Sequence, residues 1–340
     1  MSLVSTVIGK VLTVAVEAAE AVAAQVSRTR NVGGLLELVE VKGGAFAMGS
    51  GKSSRWVGLT DYFMGKTAVT EGQWRKLIEE GEEIERARFA AMRQFGLDPA
   101  KINPSHPAVC TSWHDAREYL RRLAATTEAT EAKGTGLRFS LPTEAQQEFS
   151  IRGRAVDLGQ VMGREGVASS EAAVHAFVDS RFENFVIAPP DSLPEVGGAI
   201  LTIDEALPEI LSGRNRVLAS RVFGTRSGRL TAEEAWFNQP GLAAADWGPV
   251  NPQGLHGRPG GVWEWGEDWH SDTLGRARFS VDPLGPETGQ YRVLRGGSWA
   301  CNNGPGGLRA ASRGIGRPGG RYDGFGFRVA AALQDLGGVT

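Results

Sequence analysis

Residues 292–330, RVLRGGSWACNNGPGGLRAASRGIGRPGGRYDGFGFRVA, constrain the fold more than any other stretch of this chain. The segment begins and ends like strands of a packed core, with RVLR at one end and FGFRVA at the other. Between Trp299 and Gly326 it runs through Gly, Arg, Asn, Ala and Ser with hardly an apolar anchor. Such a run cannot sustain a helix, because each glycine costs about 1 kcal/mol relative to alanine at a helical position. Nor does it show the alternation of a half-buried strand. It is the least core-like segment of the chain, set between two strongly core-like ends. Glycine contributes 46 of the 340 residues, so turns and short elements are expected throughout.

A chain of this length buries a large core, as one domain or two. Its net charge of -2 supplies no general basic field, so no nucleic-acid partner is expected. Cys110 and Cys301 are the only cysteines, too few for a disulfide framework and suited to a reducing compartment. Residues 3–26 are apolar but are interrupted by Lys10, Glu17 and Glu20, and no basic residue precedes them. Neither a signal peptide nor a spanning helix is expected there, so the location reads as cytoplasmic, with surface display by another route left open. Val4, Ile8, Val11, Ala15, Ala18 and Val22 fall on one face of a helix. That helix either docks on the domain or pairs with another chain, which would allow self-association. Residues 1–32 are thus an N-terminal helix and linker, and 33–340 one domain.

Within the domain, LLELVEVKGGAFAMGS (35–50) alternates and turns at Gly43 and Gly44, which reads as a hairpin. Three helix starts follow. Thr70 and Gln73 form a capping box ahead of Trp74, Leu77 and Ile78. Ser112 caps a helix that turns Trp113, Ala116, Tyr119, Leu120 and Leu123 inward. Thr143 and Gln146 form a second box. The character changes over residues 154–235, then GLHGRPGGVWEWGEDWH and YRVLRGGSW restore aromatic strands and glycine turns. Residues 154–235 read as an insertion into an α+β domain of short twisted strands, few helices and much irregular loop.

The blocks AFAMGS, FMGKTAVTEGQW, VCTSWHDAREYL, FSLPTEAQQEFSIRG, GLHGRPGGVWEWGEDW, RVLRGGSW and GFGFRVA follow in an order similar to the formylglycine-generating-enzyme (sulfatase-modifying factor) family. The resemblance covers roughly 40–153 and 236–333 and implies a C-type-lectin-like fold. The family's oxidases place two copper-binding cysteines five positions apart after RGGSW. Here Cys301 stands at the first position, the second falls on or near Gly306, and no cysteine occurs in 302–340. One thiolate does not supply the two-sulfur site that Cu(I) favours. The histidines His106, His114, His175, His256 and His270 form no recognisable zinc pattern.

A second subgroup resembles the chain more: the variable proteins of diversity-generating retroelements, which end soon after GFR and carry their diversified tract at the C-terminus. In that group template adenines are randomised on copying, so Asn codons never become Lys, Glu, Gln, Met or Trp. None of these five types occurs between Ala300 and Leu333. The resemblance then implies a variable segment at about 300–325, with Ala300, Cys301, Asn302, Gly304, Gly307, Ser312, Gly314, Ile315, Gly316, Gly320, Tyr322, Asp323 and Gly324 as the ligand-binding positions. Tyr322 and Asp323 are the expected contact residues and Ile315 an apolar anchor. Gly296, Gly297, Ser298, Trp299, Leu308, Arg309, Ala310, Ala311, Arg313, Gly326, Phe327 and Arg328 are read as scaffold, with Trp299 in the core.

The function so implied is display of a diversified surface to an unknown protein or other macromolecule. The alternative is a copper-dependent formylglycine-generating oxidase or an inactive relative. No cofactor is expected beyond a structural Ca2+. Trp263, Trp265 and Trp269 read as core of a half-buried strand. Glu264, Glu267 and Asp268 read as a solvated acidic turn, with oxygen ligation of Ca2+ as the other reading. Arg309, Arg313 and Arg328 are expected to bond backbone carbonyls, although with Arg317 and Arg321 they would also make an anion patch.

Overall fold

The structure is a computed structural model that describes residues 29–49, 55–126, 137–152, 182–183, 225–226, 236–248, 250–251, 253–257, 259–273, 279–301 and 308–333. The elements run β1 (Thr29–Val32), β2 (Leu36–Val41), β3 (Gly44–Met48), β4 (Arg55–Leu59), β5 (Tyr62–Gly65), α1 (Glu71–Arg75), α2 (Glu83–Gln94), α3 (Trp113–Ala125), β6 (Leu137–Ser140) and α4 (Glu144–Arg152). They continue with β7 (Phe182–Glu183), β8 (Thr225–Arg226), β9 (Trp263–Trp269), β10 (Phe279–Val281), β11 (Arg292–Arg295), β12 (Arg313–Gly316), β13 (Phe325–Gly326) and β14 (Ala330–Leu333). The expected N-terminal helix and nearly all of the expected insertion at 154–235 lie outside the described residues. Within that insertion only the short antiparallel pair of β7 and β8 is described.

The strands form sheets of order β1-β2-β5-β14-β6, β10-β4-β3 and β12-β11-β9-β13. The last strand, β14, lies antiparallel between β5 and β6. The stretch from β11 to β14 thus begins and ends in sheets. The expected hairpin over 35–50 does not form. β2 pairs with β1 and β5, whereas β3 pairs with β4. The chain crosses from one sheet to the next at Gly43, where a Cβ would lie 2.6 Å from the Thr60 carbonyl carbon. Only glycine permits that backbone approach.

Three capping arrangements start the helices. The Thr70–Gln73 box closes α1, with the Gln73 N–H donating to Thr70 Oγ1 at 3.1 Å and the Thr70 N–H to Gln73 Oε1 at 2.8 Å. Ser112 and Asp115 do the same for α3, and Thr143 and Gln146 for α4. Each box satisfies two N–H groups that a helix start leaves without partners. Helix α2 has no such signal, and its buried positions include Glu85 and Arg88.

The main core gathers Trp74, Tyr119 and Phe327. The Trp74 and Tyr119 rings stack at 5.9 Å, and Phe327 meets Tyr119 edge-on at 5.3 Å. A second cluster packs Phe46 and Phe149 between β3 and α4. Three buried arginines tie distant segments together. Arg88 pairs with Glu71 and Glu85 and donates to the Val109 carbonyl. Arg295 pairs with Glu148, and Arg328 with Glu264. Buried charges persist only when paired and hydrogen-bonded, so each pair fixes which segments meet.

Candidate functional site

The expected binding segment begins after β11 and rejoins the core at β13, with residues 302–307 outside the described residues. Its first turn needs glycine. Gly296 and Gly297 have φ of 97° and 78°, in the left-handed region, and a Cβ on Gly297 would run into the Leu308 side chain. Trp299 is half-buried rather than in the core. Its main chain is pinned, donating to the Gly261 carbonyl at 2.8 Å and accepting from the Gln239 N–H at 3.0 Å. Its indole N–H reaches the Asp323 carbonyl at 3.4 Å.

Cys301 is half-buried, and its sulfur accepts the Ser298 N–H at 3.3 Å. The other thiol, Cys110, is buried in an apolar cluster with Val262 and Met92. Burial pushes it up to about 12, so it stays protonated at neutral pH. With no cysteine after Cys301, a pair of thiolates does not assemble here, and these residues do not fit a two-sulfur Cu(I) site.

Strand β12 pairs antiparallel with β11, setting Gly314 opposite Leu294 and Ile315 opposite Val293. Two faces result, because successive residues of a strand point to opposite sides. On one face Gly314 lies under Trp263 and Gly316 under Trp265, and a Cβ on either would press into the indole ring. On the other, Ile315 is 47% exposed. Arg313 grips Glu144 through Nε and Nη2 and donates from Nη1 to the Ser271 carbonyl at 2.9 Å.

The return loop is held largely by its main chain. The Pro318 carbonyl accepts from the Trp113 N–H at 2.9 Å, the Tyr322 carbonyl from Cys110 at 3.0 Å, and the Gly324 carbonyl from Trp263 at 2.8 Å. Arg321 adds two 2.7 Å hydrogen bonds to Asp115. Tyr322 is thereby presented outward, 48% exposed, with its ring against Phe325 at 4.8 Å and Phe95 at 6.0 Å. Phe95 comes from the end of α2 and is itself 40% exposed. Burial raises the Asp323 carboxyl above the usual range.

The expected positions therefore divide. Ala300, Ile315 and Tyr322 are exposed, and Cys301, Ser312, Gly314, Gly320 and Asp323 are half-buried. Gly316 and Gly324 are buried and belong with the scaffold, because Trp265 and Ser298 occupy the space a side chain would need. Asn302, Gly304 and Gly307 lie outside the described residues. Phe95 was not legible as a neighbour of this surface, since nothing in the sequence ties it to Tyr322.

The acidic stretch Glu264–Asp268 is no solvated turn. It lies within β9, where Glu264 is buried against Arg328 and Glu267 meets Arg117 at 3.0 Å. Asp268 accepts from the Glu144 N–H at 2.6 Å and from the Gly285 N–H. Arg328 donates to the Gly65 and His256 carbonyls at 2.7 and 2.9 Å, as expected of a scaffold arginine. Arg309, in contrast, is exposed, and its side chain makes no hydrogen bond among the described residues. Among the described residues no group of three or more His, Cys, Asp or Glu side chains is placed to hold a metal ion. Among them too, no helix is long and apolar enough to cross a membrane.

The sulfatase-modifying factor enzyme 1-like domain family matches residues 23–333. The formylglycine-generating enzyme of Streptomyces coelicolor is 26% identical over 338 residues, spanning 86% of this chain and 88% of that protein. Among solved structures, Treponema denticola variable protein 1 superposes with a TM-score of 0.53 at 20% identity, over 90% of this chain and 98% of that one. PvdO from Pseudomonas aeruginosa superposes with a TM-score of 0.52 at 18% identity, over 90% of this chain and 98% of that one. The likeness to these structures is one of fold: a mixed α+β, C-type-lectin-like arrangement of short, mainly antiparallel sheets, with parallel pairs at β4–β10 and β9–β13, and few helices.

Proposed function

Because the chain belongs to the sulfatase-modifying factor enzyme 1-like domain family, we propose that it uses that fold to display a diversified C-terminal surface, as a variable protein of a diversity-generating retroelement. The observation that carries this reading is the division of labour in residues 296–328. Glycines under indoles, main-chain hydrogen bonds and paired arginines hold the path of the segment. Ala300, Ile315 and Tyr322 are exposed along it. A surface of this kind tolerates change, since substitutions away from caps, cores and strained backbone usually stay within about 0.5 kcal/mol. Tyr322 gives a rigid, amphipathic contact at low entropic cost, with Phe95 beside it as a fixed aromatic neighbour. The absence of Lys, Glu, Gln, Met and Trp from 300–333 supports the same reading, as does the fold shared with a Treponema denticola protein named as a variable protein.

The alternative, a formylglycine-generating oxidase, draws on the likeness to the Streptomyces coelicolor enzyme. The lone Cys301 and the buried, protonated Cys110 weigh against it. Sequencing the DNA beside the gene tests the proposal. It requires a near-identical copy of the 3′ coding segment that differs only at adenines, with differences at the codons of Ala300, Ile315 and Tyr322 and none at Gly316. A chain that converts a cysteine peptide to formylglycine with copper and oxygen would overturn it.

A further inference from the structure

A cavity of about 300 Å³ opens behind Arg313, between the start of α4, the end of β9 and residues 283–286. Four charged side chains line it: Arg55, Glu144, Asp268 and Arg313. Three are satisfied within the protein. Arg313 and Glu144 hold each other, and Asp268 accepts two main-chain N–H groups. Arg55, on β4, makes no hydrogen bond or ion pair among the described residues, and its Nε is closed off from solvent without a partner. Burial lowers the Arg55 pKa from its usual value, against the opposing pull of Glu144 and Asp268. Both carboxylates are committed elsewhere, and neither lies close enough to pair with it. The Arg55 Nε is out of reach from the cavity, but the terminal nitrogens of the same guanidinium are not closed off and have no protein partner among the described residues, so they are the donors an acceptor in the cavity would meet. The remaining wall is largely apolar, formed by Met48, Pro283, Leu284 and Pro286. Leu284 stands 74% exposed at the rim.

We propose that this cavity is a binding site for a small organic acid, whose carboxylate takes the Arg55 guanidinium and whose apolar body lies against Leu284 and Pro286. A guanidinium presents paired N–H groups that match a planar carboxylate. A singly charged head suits the site better than a phosphate dianion, because Glu144 and Asp268 stand beside Arg55 and repel further negative charge. The volume is that of a small ligand pocket. One wall is Arg313, which also holds the displayed segment in place, but the site includes none of the exposed positions Ala300, Ile315 and Tyr322 and does not depend on what they bind. A free acid and the C-terminal residue of a peptide carry the same chemistry, a carboxylate on a short apolar stem.

Titration of the full chain, followed by calorimetry or amide chemical shifts, tests this with isovalerate, its neutral amide isovaleramide, inorganic phosphate and a short peptide ending in a free-carboxylate leucine. Isovalerate or the peptide should bind saturably, with isovaleramide and phosphate about tenfold weaker or worse. Whichever of isovalerate and the peptide binds more tightly identifies the source. Arg55→Gln should weaken the better of the two about tenfold, and Arg55→Lys by less. Leu284→Ser, at an exposed position whose change leaves the fold intact, should weaken it a few-fold. Equal binding of acid and amide, tighter binding of phosphate, no saturation by either acid, or binding indifferent to Leu284→Ser and Arg55→Gln would each overturn the proposal. Should Arg55→Gln fail to fold, the acid–amide comparison and Leu284→Ser decide it.

Discussion

Gly316→Ala places a single methyl group where the structure has no room for one. The new Cβ would sit 2.8 Å from Cζ3 of Trp265 and closer still to Cη2. The ring cannot swing aside freely. Trp265 is fully buried, its indole N–H donates to the Thr111 carbonyl at 2.8 Å, and Phe325 meets it edge-on at 5.4 Å. Over-packing of this kind costs about 1–3 kcal/mol, and losing the indole hydrogen bond adds about 1 kcal/mol. Backbone strain does not enter, since Gly316 lies outside the left-handed region. The expected loss is therefore about 2–4 kcal/mol. Ile315→Ser, one residue away on the open face, should stay within roughly 0.5 kcal/mol. Urea unfolding of the two variants beside the wild type measures both, and an unchanged m-value confirms that the denatured state is not the cause. A Gly316→Ala protein as stable as Ile315→Ser would refute the assignment of Gly316 to the scaffold, and with it the division of the segment into held and displayed positions.

Three further outcomes follow from the geometry. Arg328→Leu removes the buried guanidinium that pairs with Glu264 and should cost about 3–5 kcal/mol, with part recovered when Glu264→Leu is added; a single-variant loss below about 1 kcal/mol would contradict the pairing. Burial pushes the Asp268 carboxyl up to about 6, above its ordinary 3.8. Between those values the folded protein holds the proton more tightly than the unfolded chain, so this group's contribution to stability falls as pH rises. Asp268→Asn removes that slope, and chemical denaturation from about pH 4 to about pH 7 should show the variant gaining on the wild type by on the order of 2 kcal/mol; a pH-independent difference would contradict it. Cys301→Ser should leave the melting temperature and metal content unchanged, because the hydroxyl can still accept the Ser298 N–H; stoichiometric copper in the wild type that vanishes in the variant would revive the oxidase.

Local signals in the sequence carried well where the chemistry was local. The boxes at Thr70–Gln73 and Thr143–Gln146 each lie within four residues, and both form. The inward face of α3 follows a helical period, and its Ala116, Tyr119, Leu120 and Leu123 are buried. Helix α2 escaped because its buried face carries Glu85 and Arg88, which breaks the apolar period. Its arginine is neutralised by Glu71, on a different helix. The acidic stretch in β9 was misread for the same reason: Glu264 is matched by Arg328, 64 positions later, which no window of sequence brings together. In the candidate site, the frame at Gly296, Gly297 and Arg313 was legible from its pattern. The difference between Ile315 and Gly316 was not. A glycine kept for an overlying indole and a glycine free to vary look alike until the Trp265 ring is placed. Arg55 gave no signal, because what marks it is the lack of a partner in three dimensions.

The separation of scaffold from displayed surface is tested most directly by paired libraries of the full chain. One randomises Ala300, Cys301, Ser312, Ile315, Tyr322 and Asp323 together; the other randomises Gly314, Gly316 and Gly324. The fraction of members that unfold cooperatively is scored in each, and the first library is selected against an immobilised unrelated protein such as lysozyme. Most members of the first should stay folded and yield binders, while most of the second fail to fold. A first library that largely fails to fold, or folds as rarely as the second, would make the segment part of the core and contradict the account.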